Sequence, residues 1–278
     1  PVSRRLQFID QSAAHAGVPF RITSPIGPVL FLDDVASSHL LLSALFITAR
    51  DDAPPPIATA AGEWRVELLA GYAHACVWRA RFALPADRPS EYRWDGATYA
   101  VACDLTGDLR LAYVSCNGEE VGDMHREGSE RNAMWERLRS EHQRRPFALM
   151  LHGGDQVYAD EVTQGHELSH DWPERIPRAP SRAELDDLRY HLRERFLERY
   201  ATLYAAPQFA WLGARVPSLM QWDDHDICDG WGSLRRSRTY SPVGQTLFAV
   251  ARESFLVFQQ ATTDGDLPMR FADPEGQH

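Results

Sequence analysis

Three short apolar runs, at residues 109–114, 147–151 and 216–222, each stop abruptly at polar residues, and stretches of helical length separate them. That alternation constrains the fold more than any other feature of the chain. A short apolar run bounded by breakers, as Pro146 and Gly153 bound the second, reads as a buried strand. Between the runs, residues 131–145 read as a helix halted by Pro146. Ser181 and Glu184 form a capping box. Leu185, Leu188, Leu192, Phe196, Tyr200 and Leu203 then recur at helical spacing, predicting an amphipathic helix over 183–205. Ser241-Pro242 opens a last helix over 243–260. Strands alternating with helices predict an α/β fold on a mostly parallel sheet. Parallel strands bring their carboxyl ends to one rim, which is where such sheets bind ligands.

Before about residue 107 the pattern differs. Short β-type runs at 29–32, 40–48, 64–69, 75–84, 91–94 and 98–101 alternate with breakers such as Pro54-Pro55-Pro56 and Asp95-Gly96. They predict a small antiparallel β-sandwich. Trp78, Tyr92 and Trp94 in these runs are either core residues or a sugar platform, and aromatic strand residues are more often core. The domain plan is therefore an amino-terminal arm over 1–18, a β-sandwich over 19–107 and a second domain over 108–278.

A chain of 278 residues buries roughly three quarters of its unfolded surface. Its net charge of -10 opposes a nucleic-acid footprint, which needs a basic face. All 29 basic residues are arginine, which excludes a Walker-type lysine, a Schiff base and a lysine general base. No apolar run reaches the length of a membrane span. Four scattered cysteines, Cys76, Cys103, Cys116 and Cys228, do not make a disulfide framework, and a Cys76–Cys103 pair stays open. The compartment is open too: cytoplasmic is favoured, with export the alternative if a leader preceded Pro1.

The apolar runs deliver chemistry to the expected rim. The first ends in Ser115-Cys116-Asn117, the second in Gly153-Gly154-Asp155-Gln156-Val157-Tyr158-Ala159-Asp160, and the third in Asp223-Asp224-His225-Asp226. Two glycines permit a sharp turn, so the Asp155 carboxylate and the Tyr158 phenol can point into one crevice. Each motif alone has an ordinary explanation. A carboxylate after a strand is often a cap, Cys116 a small buried hydrophobe, and His225 a surface histidine. Four consecutive ionisable residues at the end of an apolar strand, however, cost several kcal/mol unless paired or metal-bound. A cation converts that cost into affinity.

Taken together, Ser115-Cys116, the Gly154 to Asp160 element and Trp222-Asp223-Asp224-His225-Asp226 resemble the PhoD-like branch of the calcineurin-type metallophosphatases. The β-rich region resembles that family's amino-terminal sandwich. The fold expected is thus an α/β metallophosphatase-type sandwich preceded by a small antiparallel β-sandwich domain. The resemblance covers roughly residues 20–278. It implies a phosphomonoesterase or phosphodiesterase that attacks a small-molecule phosphate ester with a metal-bound hydroxide. Two metal ions are implied, Fe3+ plus a divalent Ca2+, Mn2+ or Zn2+. By the same resemblance Asp155 bridges the ions, Cys116 and Tyr158 bind the ferric one, and Asp224 binds the other. His225 would face the leaving group with Asp226 orienting its imidazole, and Asp223, Asp160 and Asn117 would support the ligands. Two cations about 4 Å apart can generate hydroxide near neutral pH and clamp an in-line displacement. A thiolate or phenolate ligand must be deprotonated, which a trivalent ion favours.

That family's pattern ends in a later Gly-Asp-x-His-His element, and nothing after His225 matches it. The metallophosphatase domain is therefore expected to be incomplete at its carboxyl end. A second reading is a truncated or inactive phosphatase-like protein that binds a ligand or partner. A third is a mononuclear iron protein with thiolate and phenolate ligands and a redox role.

Overall fold

The computed structural model describes residues 20–36, 38–117 and 126–267; the arm expected over 1–18 lies outside them. The described elements are β1 (Ile26–Ala36), β2 (His39–Ala49), β3 (Ile57–Thr59), β4 (Gly62–Trp64), β5 (Val66–Gly71), β6 (Ala75–Pro85), β7 (Ser90–Trp94), β8 (Ala97–Val101) and β9 (Leu111–Val114). After these come α1 (Gly128–Arg131), α2 (Ala133–Arg144), β10 (Leu149–Gly153), α3 (Arg182–Ala205), α4 (Pro207–Gly213), β11 (Ser218–Gln221), α5 (Arg236–Thr239) and α6 (Pro242–Ser254). Among these residues no helix is long and apolar enough to cross a membrane.

Seven strands form one sheet in the order β5-β6-β2-β1-β11-β10-β9, and β4-β3-β7-β8 form a second, antiparallel sheet. The expected separation into a parallel sheet and an independent β-sandwich needs correction. Strands β1, β2, β5 and β6 pair antiparallel, yet they continue directly into the parallel set, because β1 pairs β11 with Phe31 opposite Ser218. The large sheet is consequently mixed rather than mostly parallel.

Period-2 alternation explains how one set of strands serves two cores. Leu40, Leu42, Ala44 and Phe46 of β2 join Leu30, Phe82 and Leu84 against the small sheet. Their neighbours Leu45 and Ile47, with Val29 and Phe31, face the helices instead. Tyr92 and Trp94 are buried in the inter-sheet core, so the core reading of these aromatics holds. All four cysteines are free, which closes the question of a Cys76–Cys103 bridge.

The capping box at Ser181 and Glu184 opens α3 as its sequence predicts. The helix buries Leu188, Leu192, Phe196 and Tyr200 on the sheet. The last helix differs from expectation in one respect. After Ser254 the chain widens into a π-helical turn over Phe255–Gln259, which changes where its final side chains point.

Candidate metal centre at the ends of three parallel strands

Strands β9, β10 and β11 are parallel neighbours in register, with Leu151 opposite both Tyr113 and Leu219. Their carboxyl ends therefore place Cys116, Asp155 and the 223–226 turn side by side. The backbone is tightly constrained here. Gly154 sits at φ +108°, and a Cβ on it would lie 2.5 Å from that of Asp223, so only glycine lets the two loops meet. Cys116 and Asp155 both occupy the left-handed region, at φ 53° and 54°. Non-glycine residues held there cost about 1 kcal/mol or more each and cluster at functional sites. Backbone bonds from Cys116 to the Gly154 carbonyl (3.1 Å) and from Asn117 to the Asp155 carbonyl (2.9 Å) lock the first loop to the second. The Asn117 amide is itself fixed, accepting from Trp135 Nε1 at 2.9 Å and donating to the Gln156 carbonyl at 3.3 Å.

Asp226 holds the assembly together. Its buried carboxylate accepts from the backbone N–H groups of Asp155 (2.8 Å), Gln156 (3.0 Å), Val157 (3.2 Å) and Asp223 (3.0 Å), and from Gln259 Nε2 (2.9 Å). Burial pushes the Asp226 carboxyl up to about 7, while the amides around it favour the charged form. With its oxygens so occupied, Asp226 does not orient the His225 imidazole, which corrects the sequence expectation. That partner is Asp160, whose Oδ2 lies 2.8 Å from His225 Nδ1. Burial lowers the His225 pKa, but the Asp160 hydrogen bond, together with the charges of Asp160, Asp224 and Asp155, outweighs burial and raises it overall.

The ligand candidates are distributed unevenly. Carboxylate oxygens of Asp155, Asp223 and Asp224 all lie within 4.8 Å of one another. Burial raises the Asp155 pKa; a Cys116 hydrogen bond and the His225 charge oppose this, and Asp223 and Asp224 reinforce it. Like charges this close repel unless a cation lies among them, and among the described residues no arginine pairs with any of the three. The donor set therefore fits a metal ion. The Tyr158 ring stacks on that of His225, with centroids 4.3 Å apart. Its carbonyl accepts from Arg199, anchoring this loop to α3.

Two contributors escaped the sequence reading. Asp229 Oδ1 lies 3.9 Å from His225 Nε2, and its backbone N–H bonds Asp160 at 2.5 Å. Gln259 reaches Asp226 and the Tyr200 hydroxyl (2.8 Å) because the π-helical turn swings it inward. Asp229 stands three residues past the motif and was legible as a further acid; nothing in the sequence marks a π turn.

The chain is similar to known proteins in both structure and sequence. The solved structure of PhoD aligns with 85% of this chain and 45% of its own, at 14% identity and a TM-score of 0.43. An uncharacterized protein of Saccharomyces cerevisiae, YGR266W, is 26% identical, over 58% of this chain and 26% of its own length. The chain thus spans less than half the length of either. The sequence profile of the PhoD-like phosphatases matches residues 111–262, the segment that carries all three strand ends. Because that match covers more than half of the sequence, the chain belongs to the PhoD-like phosphatase family.

Proposed function

We propose that the chain is a metal-dependent phosphoesterase that hydrolyses small-molecule phosphate esters at this rim. The observation that carries the reading is the convergence of the Asp155, Asp223 and Asp224 carboxylates beside His225, whose Nδ1 is held by Asp160. Asp155 would bridge two ions, with Asp224 on one and Cys116 and Tyr158 on the other, ferric, ion. Bound there, the cations would polarise the phosphoryl oxygens and supply the nucleophile at neutral pH.

The rest of the chemistry belongs to side chains of the chain. Asp160 accepts from His225 Nδ1, which leaves Nε2, 3.9 Å from Asp229 Oδ1, as the ring nitrogen that would protonate the departing alkoxide or phenoxide. Stacking on Tyr158 fixes the plane of the imidazole. Asp226 binds no substrate; it keeps the 155–157 and 223–226 loops at a fixed separation, and so fixes the spacing of the carboxylates.

Phosphate release from an aryl phosphate tests the assignment. Asp155→Asn should lower kcat/KM by about a thousandfold and His225→Gln by roughly a hundredfold or more. Wild-type rates in both variants would sink it. Metal and phosphate binding without turnover would instead favour the second reading, a ligand-binding phosphatase relative.

A further inference from the structure

Immediately beyond the site loop the chain reads Leu234-Arg235-Arg236-Ser237-Arg238, three arginines in four residues of a protein whose net charge is -10. Arginines of α3 and α6 are neutralised: Arg189 and Arg193 on Glu253, Arg195 on Glu198, Arg252 on Asp264. Arg235 and Arg238, by contrast, meet no carboxylate among the described residues, and Arg236 only stacks on the exposed Tyr240 ring.

Their position is set by the site itself. The Gly230 N–H donates to Asp224 Oδ2 at 2.8 Å, and the Leu234 N–H returns to the Gly230 carbonyl at 3.1 Å. By backbone reach the Arg235 Cα therefore lies within roughly 14 Å of the Asp224 carboxylate, a gap that an extended arginine side chain is long enough to narrow by about half. The segment is also rigid. Trp231 stacks on Phe248 with planes 2° apart, and α5 presses onto α6 so closely that a Cβ on Gly244 would lie 2.4 Å from the Arg238 carbonyl. Unpaired guanidiniums on a fixed support beside an acidic metal centre have a clear electrostatic use. They can hold an anionic group that the carboxylates of the centre would repel.

Resting on the phosphoesterase reading, we propose that Arg235 and Arg238 form a second anion subsite, so that the preferred substrates are phosphate esters bearing a further phosphate or other strong anion on the part of the molecule that leaves or trails. The scissile phosphate would sit at the metal rim and the distal anion on the arginines. Their forked donors suit phosphate oxygens better than a single point charge would.

Calorimetric binding of two non-hydrolysable probes to the metal-loaded protein tests this. Phenylphosphonate carries one anion; para-phenylene bisphosphonate carries two, held too far apart to chelate one ion. The bisphosphonate should bind about tenfold tighter, with a gain that shrinks as salt is raised. Arg235→Gln/Arg238→Gln should abolish the gain and leave phenylphosphonate affinity and aryl phosphate turnover within about twofold. Equal binding of both probes to the wild type, or a gain that survives the double substitution, overturns the subsite while leaving the phosphoesterase intact. If neither probe binds and no aryl phosphate is cleaved, the underlying reading of the site fails, and the subsite with it.

Discussion

The antiparallel half of the large sheet and its parallel half meet only at β1 and β11, and they end very differently. In the antiparallel half, alternating side chains fill one core against the small sheet and another against the helices. Its one buried charge among the described residues, Arg79, is committed to Glu67, Asp266 and the Ala261 carbonyl. In the parallel half every strand must hand over to a crossover, so three loops collect at one rim. There the sequence places acids instead of apolar residues, and two of them adopt left-handed or buried states that folding alone does not favour. The contrast separates packing from the proposed chemistry: β1, β2 and β6 pack against two cores, whereas the candidate ligands sit in loops that Asp226 and the backbone bonds of Cys116 and Asn117 hold in place.

A substitution confined to the first half should break this separation if it is wrong. Leu45 is fully buried among the helix-facing residues, and Leu45→Ala should cost about 3 kcal/mol in denaturant unfolding while leaving kcat/KM of the folded enzyme unchanged. A parallel loss of turnover would show that the rim depends on the antiparallel strands more closely than their contacts imply.

The amino end of the parallel strands offers a pH test of comparable or smaller size. His142 is buried at the end of α2 and accepts the Phe147 N–H at its Nδ1. Burial first, then the nearby Arg215 and Arg110, lower its pKa to about 4. The unfolded chain takes up this proton near pH 6.5 and the folded one only near 4. The stability His142 confers is therefore complete above about pH 6.5 and drains away as pH falls to about 4, by up to roughly 3 kcal/mol. In His142→Leu, the acid-side fall in unfolding free energy should be shallower by one proton. An identical slope in the two proteins would contradict this.

The smallest expected effect is the most diagnostic of how the rim is held. Gln259→Met keeps shape but removes the donors to Asp226 and Tyr200. It should cost about 2 kcal/mol in stability and lower kcat several-fold with KM little changed, because the carboxylate spacing loosens while the substrate contacts remain. An equal change in kcat and KM, or none in either, would assign Gln259 to packing alone.

Much of this was legible in the sequence. The three apolar runs became β9, β10 and β11, and the motifs that follow them meet at one rim because parallel pairing leaves no alternative. The capping box and the stripe of α3 were equally local signals and appear as read. What escaped were long-range matters. The pairing of Phe31 with Ser218 joins residues about two thirds of the chain apart, and no local pattern reports it. The acid that reaches His225 was likewise misassigned to Asp226 from its place in the motif. Asp226 is adjacent in sequence but turned inward by five donors, and Asp160 arrives from another loop. Gln259 depended on a π turn whose sequence, Phe255-Leu256-Val257-Phe258-Gln259, looks like ordinary helix.

The proposed function needs cations bound at the clustered carboxylates of this rim. Its most direct test is to strip the purified protein with a strong chelator, reload it with Mn2+, Ca2+ or Zn2+, alone or with Fe3+, and follow phosphate release from an aryl phosphate beside metal content. Stripping should abolish turnover, reloading should restore it as metal binds, and Asp155→Asn should neither retain metal nor recover. Undiminished turnover in the stripped protein would contradict it.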